Sequence, residues 1–220
     1  MKTGRETGLP PIHRLSDFPT TDAVYVGTVR SRSSHGLISS ISLPHLPRGY
    51  LSITADDIPG SRMLNLGNTS LPILASGHVT YRGEPVALIV GPDKDRITEA
   101  IELARVRVEK EEPDYTFESF DSGRLVAEKT YARGEIATAF ATAAKVVEGD
   151  YRFGPQDHYY PEPQGSAAAF DYDKLVVFYS TQWPFHVRKA EPEALRVKRQ
   201  EVLVRSTLLG PHMDGKLWYP

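Results

Sequence analysis

The sequence predicts an α+β protein made of two successive units, the second mainly β with few helices to cover its strands. Three observations indicate this fold class. Apolar residues make up 40% of the 220 positions and charged residues 25%, as in ordinary globular chains. In the first half, short alternating segments are separated by Gly and Pro and interrupted by one helical pattern. In the second half, at least four segments have strand patterns and few segments could form helices to cover them.

The first unit is predicted to cover residues 17–113, after a flexible arm at residues 1–16. Its strands are expected at residues 23–29, 37–43, 50–54, 78–81, 85–90 and 106–109. Residues 61–70 are polar and are predicted to form a loop. A helix is predicted between the last two strands, with Asp93 or Asp95 as its N-cap. Its buried stripe follows the spacing i, i+3, i+4, i+7 at Ile97, Ala100, Ile101 and Ala104.

The second unit, residues 132–220, is predicted to follow an acidic linker at residues 114–131. It should hold a helix at 135–144, strands at 145–153, 166–172, 175–181 and 201–207, and a short helix or irregular turn at 184–197 interrupted at Pro192. Such a unit would leave sheet edges unpaired and one sheet face uncovered. We therefore expect it to belong to a larger structure and to associate with itself or with another protein.

Composition excludes several classes of function. The net charge of −2 gives no basic field for sequence-independent nucleic-acid binding. No apolar stretch approaches the ~18 residues of a transmembrane helix, and residues 1–11 lack the apolar core of a signal peptide. We therefore expect a cytoplasmic protein without a membrane partner. The absence of Cys from the sequence excludes disulfides, thiolate metal ligands, iron–sulfur ligands and a Cys nucleophile on this chain.

Familiar catalytic patterns are also missing, so we predict no catalytic residue and no metal ligand. The seven His residues form neither an H-x-H nor an H-E-x-x-H pattern. Ser166 lacks the two flanking Gly residues of a hydrolase nucleophile elbow. Residues 210–216 satisfy the spacing of a phosphate-binding loop. However, Leu217 stands where a magnesium-binding hydroxyl is needed, and the few residues after it could not supply the required helix.

Five stretches nevertheless form an ordered set along nearly the whole chain. The first is made of residues 28–31, with His35, Ile38 and Ile41, and of the run 53–60. The others are residues 81–87, 156–163, 180–184 and 210–216. Together they resemble the molybdenum-cofactor chain of the xanthine dehydrogenase and aldehyde oxidase family. The first two are similar to the opening "hammerhead" α/β domain of that family. The other three are similar to motifs of its molybdopterin-binding domain, so the resemblance implies a hammerhead domain followed by a partial, mainly β molybdopterin-binding domain.

The resemblance also implies where a cofactor would lie. Gln156 matches a motif glutamine whose amide lies near the cofactor, and Gly210, Met213 and Gly215 belong to a loop that places backbone N–H groups there. The sequence departs from the family pattern in this loop. Pro211 and Asp214 stand in place of glycines, and Met213 stands in place of a phenylalanine.

Enzymes of this family hydroxylate purines, aldehydes or related heterocycles at a pterin-bound molybdenum. The resemblance implies a subunit or fragment of such an oxidoreductase that is incomplete for catalysis alone, with molybdenum–molybdopterin bound only in a completed complex. The implied partners are a chain carrying the rest of the molybdopterin domain and iron–sulfur and FAD subunits. A second copy of this chain is a further candidate partner, because of the uncovered sheet predicted in the second unit. The alternative is a non-catalytic docking or assembly module that retains the fold.

Overall fold

The computed structural model describes residues 11–66, 69–113 and 128–217. Their helices and strands are β1 (Tyr25–Arg30), β2 (Gly36–Ser42), β3 (Leu51–Thr54), β4 (Met63–Leu66), β5 (Thr69–Pro72), β6 (His78–Val79), β7 (Pro85–Gly91), α1 (Lys94–Leu103), β8 (Arg105–Lys110), α2 (Ile136–Thr142), β9 (Ser166–Asp171), β10 (Lys174–Tyr179), α3 (Pro184–Leu195) and β11 (Val202–Ser206). The strands form three three-stranded sheets and one hairpin. The predicted α+β class is confirmed.

The core of the first domain lies between α1 and the antiparallel sheet β1–β7–β3. The β7 strand is the near-continuous apolar run that predicts burial on both faces. The predicted stripe of α1 packs on this sheet, and the Asp93 carboxylate accepts hydrogen bonds from the N–H groups of Asp95 and Arg96. The buried core residues are Val29, Ala87, Ile89, Ile97, Ala100 and Ala104.

A second antiparallel sheet of this domain has the order β6–β2–β8. In its register Leu37 lies opposite His78, and Gly36 lies opposite Lys110. The central strand β2 therefore brings the residues around its start close to two segments that are distant in sequence.

The second domain contains the sheet β11–β10–β9, in which β10 is antiparallel to β9 and parallel to β11. Helix α3 connects the two parallel strands and packs against β11, as the parallel pairing requires. Phe178 is fully buried in β10, and the ring of Phe18 contacts it edge-on with centroids 5.7 Å apart. Leu208 N–H donates to the carbonyl of His13 at 2.7 Å, so the described part of the N-terminal arm lies on this sheet.

Three predictions about secondary structure are wrong. The loop predicted at residues 61–70 is the hairpin β4–β5, whose two-residue Gly-Asn connection was a hairpin signal. The strand predicted at 145–153 does not form, and these residues are exposed chain outside any helix or strand. Pro192 does not interrupt the last helix, because it lies in the final turns of a continuous α3 whose packing outweighs the lost N–H.

Other predictions fall partly outside the described residues. The helix expected at 135–144 is present as α2, but Ile136 and Phe140 of its apolar stripe are exposed. Residues 1–10 of the predicted arm and 114–127 of the predicted linker lie outside the described part of the chain. No helix within the described part is long and apolar enough to cross a bilayer.

The two domains meet where the chain at Gly60 crosses the end of α3. Gly60 N–H donates to the carbonyl of Ala194 at 2.9 Å, and Ser61 N–H donates to the carbonyl of Glu193 at 2.8 Å. The last carbonyls of a helix have no partners within the helix. The first domain therefore supplies hydrogen-bond donors to two helix-terminal carbonyl groups of the second domain.

Substituting Ala for Gly60 should weaken this contact. A Cβ at this position would lie 2.0 Å from the carbonyl oxygen of Glu193, so the backbones must separate. We expect a loss of about 1–3 kcal/mol from the two hydrogen bonds, and faster hydrogen–deuterium exchange in the last turn of α3. The matched control is Gly154→Ala, because a Cβ there meets nothing within 4 Å. Unchanged exchange in Gly60→Ala would contradict the contact.

Candidate functional site

Three of the motifs that carry the family resemblance meet beside β10. The segment with Glu162 precedes β9, Ser180 and Gln182 follow β10, and the loop of residues 210–216 follows β11. Because β10 is the central strand of this sheet, its end lies within reach of both neighbouring segments. The sheet therefore assembles one polar site from segments that are distant in sequence.

A buried ion pair between Glu162 and Lys216 is at the centre of this site. The Lys216 side chain is fully buried, and its Nζ lies 3.0 Å from Glu162 Oε2 and donates to the carbonyl of Pro163 at 2.9 Å. The Glu162 carboxylate also accepts hydrogen bonds from Ser180 Oγ and from Gly210 N–H, both at 3.0 Å. The charge of each partner is compensated, as a buried charge requires.

These contacts decide the protonation of Glu162. Burial acts to raise the pKa of this carboxyl, but the hydrogen bonds from Lys216, Ser180 and Gly210 and the charge of Lys216 outweigh it. The net effect lowers the pKa of Glu162 below its ordinary value. The carboxylate is thus held in its charged form, in which it can bind the lysine.

Gln182, which follows β10, binds the end of the 210–216 loop. The side-chain oxygen of Gln182 accepts a hydrogen bond from the backbone N–H of Lys216 at 3.1 Å. The backbone N–H of Gln182 donates to the carbonyl of Lys216 at 2.9 Å. Its side-chain NH₂ donates to the Asp214 carboxylate at 2.9 Å, and Thr181 Oγ1 also donates to the Lys216 carbonyl. The loop is therefore held through both its backbone and its side chains.

The loop needs backbone conformations that few residues adopt. Met213 and Asp214 have positive φ values of 44° and 61°. Asp is among the residues that tolerate this region, so it can occupy a position where the resemblance places Gly. Gly215 is required for a different reason, because a Cβ there would lie 2.1 Å from the ring of Tyr160.

Family models match both domains of the chain. The "Aldehyde oxidase and xanthine dehydrogenase, a/b hammerhead domain" model matches residues 14–112, and the "Molybdopterin cofactor-binding domain" model matches residues 118–211. The chain belongs to the aldehyde oxidase and xanthine dehydrogenase family. It covers the hammerhead domain and the start of the molybdenum-cofactor-binding domain of such proteins.

Full-length relatives of this family are much longer than the chain. It is 28% identical to aldehyde oxidase 2 of Macaca fascicularis over 214 residues, which are 93% of the chain and 16% of that protein. It is 32% identical to xanthine dehydrogenase of Blastobotrys adeninivorans over 180 residues, covering 76% of the chain and 12% of that protein. The chain thus spans less than a fifth of either relative.

Solved structures of similar proteins confirm the fold. Quinoline 2-oxidoreductase from Pseudomonas putida 86 superposes with a TM-score of 0.72 at 24% identity, over 91% of this chain and 30% of that one. Aldehyde oxidoreductase from Desulfovibrio gigas superposes with a TM-score of 0.69 at 19% identity, over 87% of this chain and 24% of that one. At this level of identity the likeness establishes the fold of this family member.

The structure groups three of the four predicted cofactor-binding residues. Gly210, Met213 and Gly215 share the 210–216 loop, where Met213 is 59% exposed. Gln156 lies in a separate, exposed segment and makes no hydrogen bond to this loop among the described residues. The assignment of all four to cofactor binding stays a prediction. Sequence reasoning did not single out Glu162 and Lys216, although opposite charges in two motifs of one resemblance were a usable signal.

Most backbone donors of the loop already have acceptors within the chain. The N–H groups of Gly210, Asp214, Gly215 and Lys216 all donate to acceptors of this chain. Pro211 has no N–H to offer. The Lys216 ammonium is also occupied. The N–H groups of His212 and Met213 have no acceptor among the described residues, so the loop could contribute these two donors to one wall of a cofactor site.

A second carboxyl of this domain, Glu191 in α3, behaves in the opposite way to Glu162. One of its oxygens is buried without a hydrogen-bond partner among the described residues. Burial raises the pKa of Glu191 to about 7. Burial, and secondarily the charge of Glu191, raises the pKa of Tyr179 to about 12. The folded protein thus favours the neutral form of Glu191.

Replacing Glu191 by Gln should stabilise the protein in a pH-dependent manner. Because its pKa rises on folding, Glu191 lowers the stability progressively as the pH rises from about 4.5 to about 7, and its full cost remains above that. We expect Glu191→Gln to gain about 2 kcal/mol at pH 8 and almost nothing at pH 4. Urea unfolding at both pH values measures this. Glu193→Gln, on the exposed face of α3, is the control, and a gain independent of pH would contradict the prediction.

Proposed function

We propose that this chain supplies the hammerhead domain and one wall of the cofactor site of a molybdenum hydroxylase. The observation that carries the proposal is the site built by Glu162, Ser180, Gly210 and Lys216, because it joins three motifs of the resemblance through one buried ion pair. A non-catalytic docking module is not favoured, because the hammerhead and molybdopterin-binding family models together match residues 14–112 and 118–211 of the chain.

We assign to this chain the role of holding the 210–216 loop in place beside the cofactor. The Glu162–Lys216 pair and Gln182 hold the two ends of the loop, and between these ends the side chain of Met213 is exposed. When bound, the molybdenum cofactor would supply the oxidative hydroxylation chemistry. The missing donors and the substrate-binding groups would come from a polypeptide carrying the rest of the molybdopterin-binding domain.

Electron transfer needs further partners. The sequence has no Cys, so iron–sulfur clusters that accept the electrons must be bound by other polypeptide, together with FAD. The exposed apolar side chains of the second domain support association with such partners or with another copy of the chain. They include Val147, Tyr151, Phe153, Tyr159, Phe170 and Tyr172.

Purification from the source cell tests the proposal. We expect mass spectrometry to identify a copurifying polypeptide that carries the remaining molybdopterin domain. Elemental analysis should find no stoichiometric molybdenum in the chain alone and about one atom per complex when the two are combined. Stoichiometric molybdenum–pterin bound to the isolated chain, or none in the complex, would refute the proposed division of the site.

A matched pair of variants tests the role of the loop within that complex. Met213→Glu should lower the molybdenum content of the complex, because it places a carboxylate in the loop that we assign to the cofactor site. It should leave the melting temperature of the isolated chain unchanged, because the Met213 side chain is 59% exposed. Met63→Glu introduces the same charge at a residue of the first domain that is 41% exposed and should leave the molybdenum content unchanged. Equal occupancy in both variants would place the cofactor away from the loop.

A further inference from the structure

Three residues capable of metal coordination meet at one end of the β6–β2–β8 sheet. His35 directly precedes β2, His78 is the first residue of β6, and Glu111 directly follows β8. Leu37 lies opposite His78 in the antiparallel register, and extending the β2–β8 register by one residue places His35 opposite Glu111. Since His35 and Leu37 are two residues apart, all three side chains project from the same face.

At Gly36 the backbone of β2 leaves no room for a side chain next to β8. Gly36 has a φ of 138°, and a Cβ on it would lie 2.1 Å from the carbonyl oxygen of Glu109 in β8. Glu111 N–H also donates to the carbonyl of His35. The approach of the two strands therefore places the Glu111 carboxylate next to the His35 imidazole.

The three side chains have the distances of a preformed ligand set. The Glu111 carboxylate accepts a hydrogen bond from His78 Nε2 at 2.6 Å, and the same oxygen lies 3.7 Å from His35 Nδ1. One possible ligand atom from each residue lies within 4.8 Å of the other two. In a tetrahedral zinc site with bonds of about 2.0–2.1 Å, neighbouring ligand atoms are about 3.3 Å apart. The two distances to Glu111 would each have to change by less than about 1 Å, and the two imidazole nitrogens, which lie within 4.8 Å of each other, by at most about 1.5 Å.

A structural pair of histidines does not explain the arrangement. The rings of His35 and His78 stack edge-to-face with centroids 4.6 Å apart, which accounts for their contact. However, His35 Nδ1 is a buried atom without a hydrogen-bond partner among the described residues. Buried ring nitrogens are normally paired, and 3.7 Å to a carboxylate oxygen is too long for a hydrogen bond. A cation between the nitrogen and the carboxylate would satisfy both.

We propose that His35, His78 and Glu111 bind a zinc ion. Two imidazole nitrogens and one carboxylate oxygen are ligands that zinc accepts, and water would complete a tetrahedral set. On binding, the ion would displace the proton that His78 Nε2 donates to Glu111, and this proton would pass to solvent or to the other ring nitrogen. The site is open to solvent, with 30% of the His35 side chain, 37% of His78 and 53% of Glu111 exposed, so the ion can enter. Binding would connect residues close to the ends of three strands and so stabilise the hammerhead domain. This role is independent of the proposed cofactor wall in the other domain.

Zinc titration of the purified chain tests the site. After removal of metal by a chelator, we expect calorimetry to find one zinc ion per chain, together with a rise in melting temperature. His78→Gln and Glu111→Gln should each weaken binding by at least ~10-fold and abolish the rise. His45→Gln removes an exposed His of the same domain and should bind zinc as the unaltered chain does.

Cobalt identifies the ligands and guards against a folding artefact. Substitution by Co²⁺ should give an intense visible spectrum typical of four-coordinate nitrogen and oxygen ligation, and this spectrum should be lost in Glu111→Gln. Circular dichroism must show that each variant is folded without metal, and His35→Gln serves as a third variant if one of the others is not. Binding that is equally strong in His78→Gln and Glu111→Gln, or weakened as much in His45→Gln, would overturn the proposal, and so would the absence of binding.

Discussion

Replacing Lys216 by Met is expected to lower the free energy of unfolding by about 3 kcal/mol. Met matches the length and apolar stem of Lys but leaves the Glu162 carboxylate without its partner at a site where Lys216 is fully buried. The value is at the low end for breaking a buried pair, because Glu162 remains 25% exposed and keeps its bonds to Ser180 and Gly210. Urea unfolding at pH 7 measures the loss.

Two comparisons identify the ion pair as the cause. Lys189→Met alters an exposed Lys in α3 and should change stability by less than about 0.5 kcal/mol. Because folding lowers the pKa of Glu162, this carboxylate stabilises the fold above its ordinary pKa near 4.5, and the contribution is lost as the pH falls through the lowered value. The difference between the Lys216→Met variant and the unaltered chain should therefore shrink in acid. A loss of equal size at pH 3 and pH 7 would show that packing alone is responsible.

Gly36→Ala should be the most damaging small substitution in the hammerhead domain, with a loss of about 3 kcal/mol or more. The φ of 138° is unfavourable for any residue with a Cβ, and the added carbon would lie 2.1 Å from the carbonyl oxygen of Glu109. The strand β8 would have to move away from β2. Guanidinium unfolding measures the loss, and weaker zinc binding is expected with it.

Gly77→Ala provides the control for this substitution in the same domain. A Cβ on Gly77 meets nothing within 4 Å, and this residue is not among those with positive φ, so the variant should be neutral or slightly stabilising. If Gly36→Ala and Gly77→Ala have the same stability, the close approach of β2 and β8 is not a feature of the protein in solution.

The sequence predicted those parts of the fold that depend on local pattern. The spacing of Ile97, Ala100 and Ala104 is enough to predict α1, and the apolar run of β7 is enough to predict a buried strand. Prediction from the sequence pattern failed where tertiary contacts determine the secondary structure. Residues 145–153 are predicted as a strand but belong to none of the sheets that the structure describes. Pro192 is accommodated because α3 packs on the sheet.

The candidate site shows the same division. Residues 210–216 could be identified from sequence because they form one contiguous motif. The pairing of Glu162 with Lys216 depends on the order β11–β10–β9, which no local pattern contains. His35, His78 and Glu111 were not predicted as ligands, because only strand register brings together residues 43 and 33 positions apart.

The placement of Lys216 also has a consequence for the order of folding. Its ammonium donates to the carbonyl of Pro163, which lies 53 residues earlier in the chain. Its backbone N–H donates to the side chain of Gln182, which precedes α3 in the sequence. Contacts of such long range form late, because the intervening segments must be arranged before the ends can meet. We therefore expect the 210–216 loop to take up its final position only after the β11–β10–β9 sheet has formed. A chain that is still being synthesised would then lack this part of the proposed cofactor site.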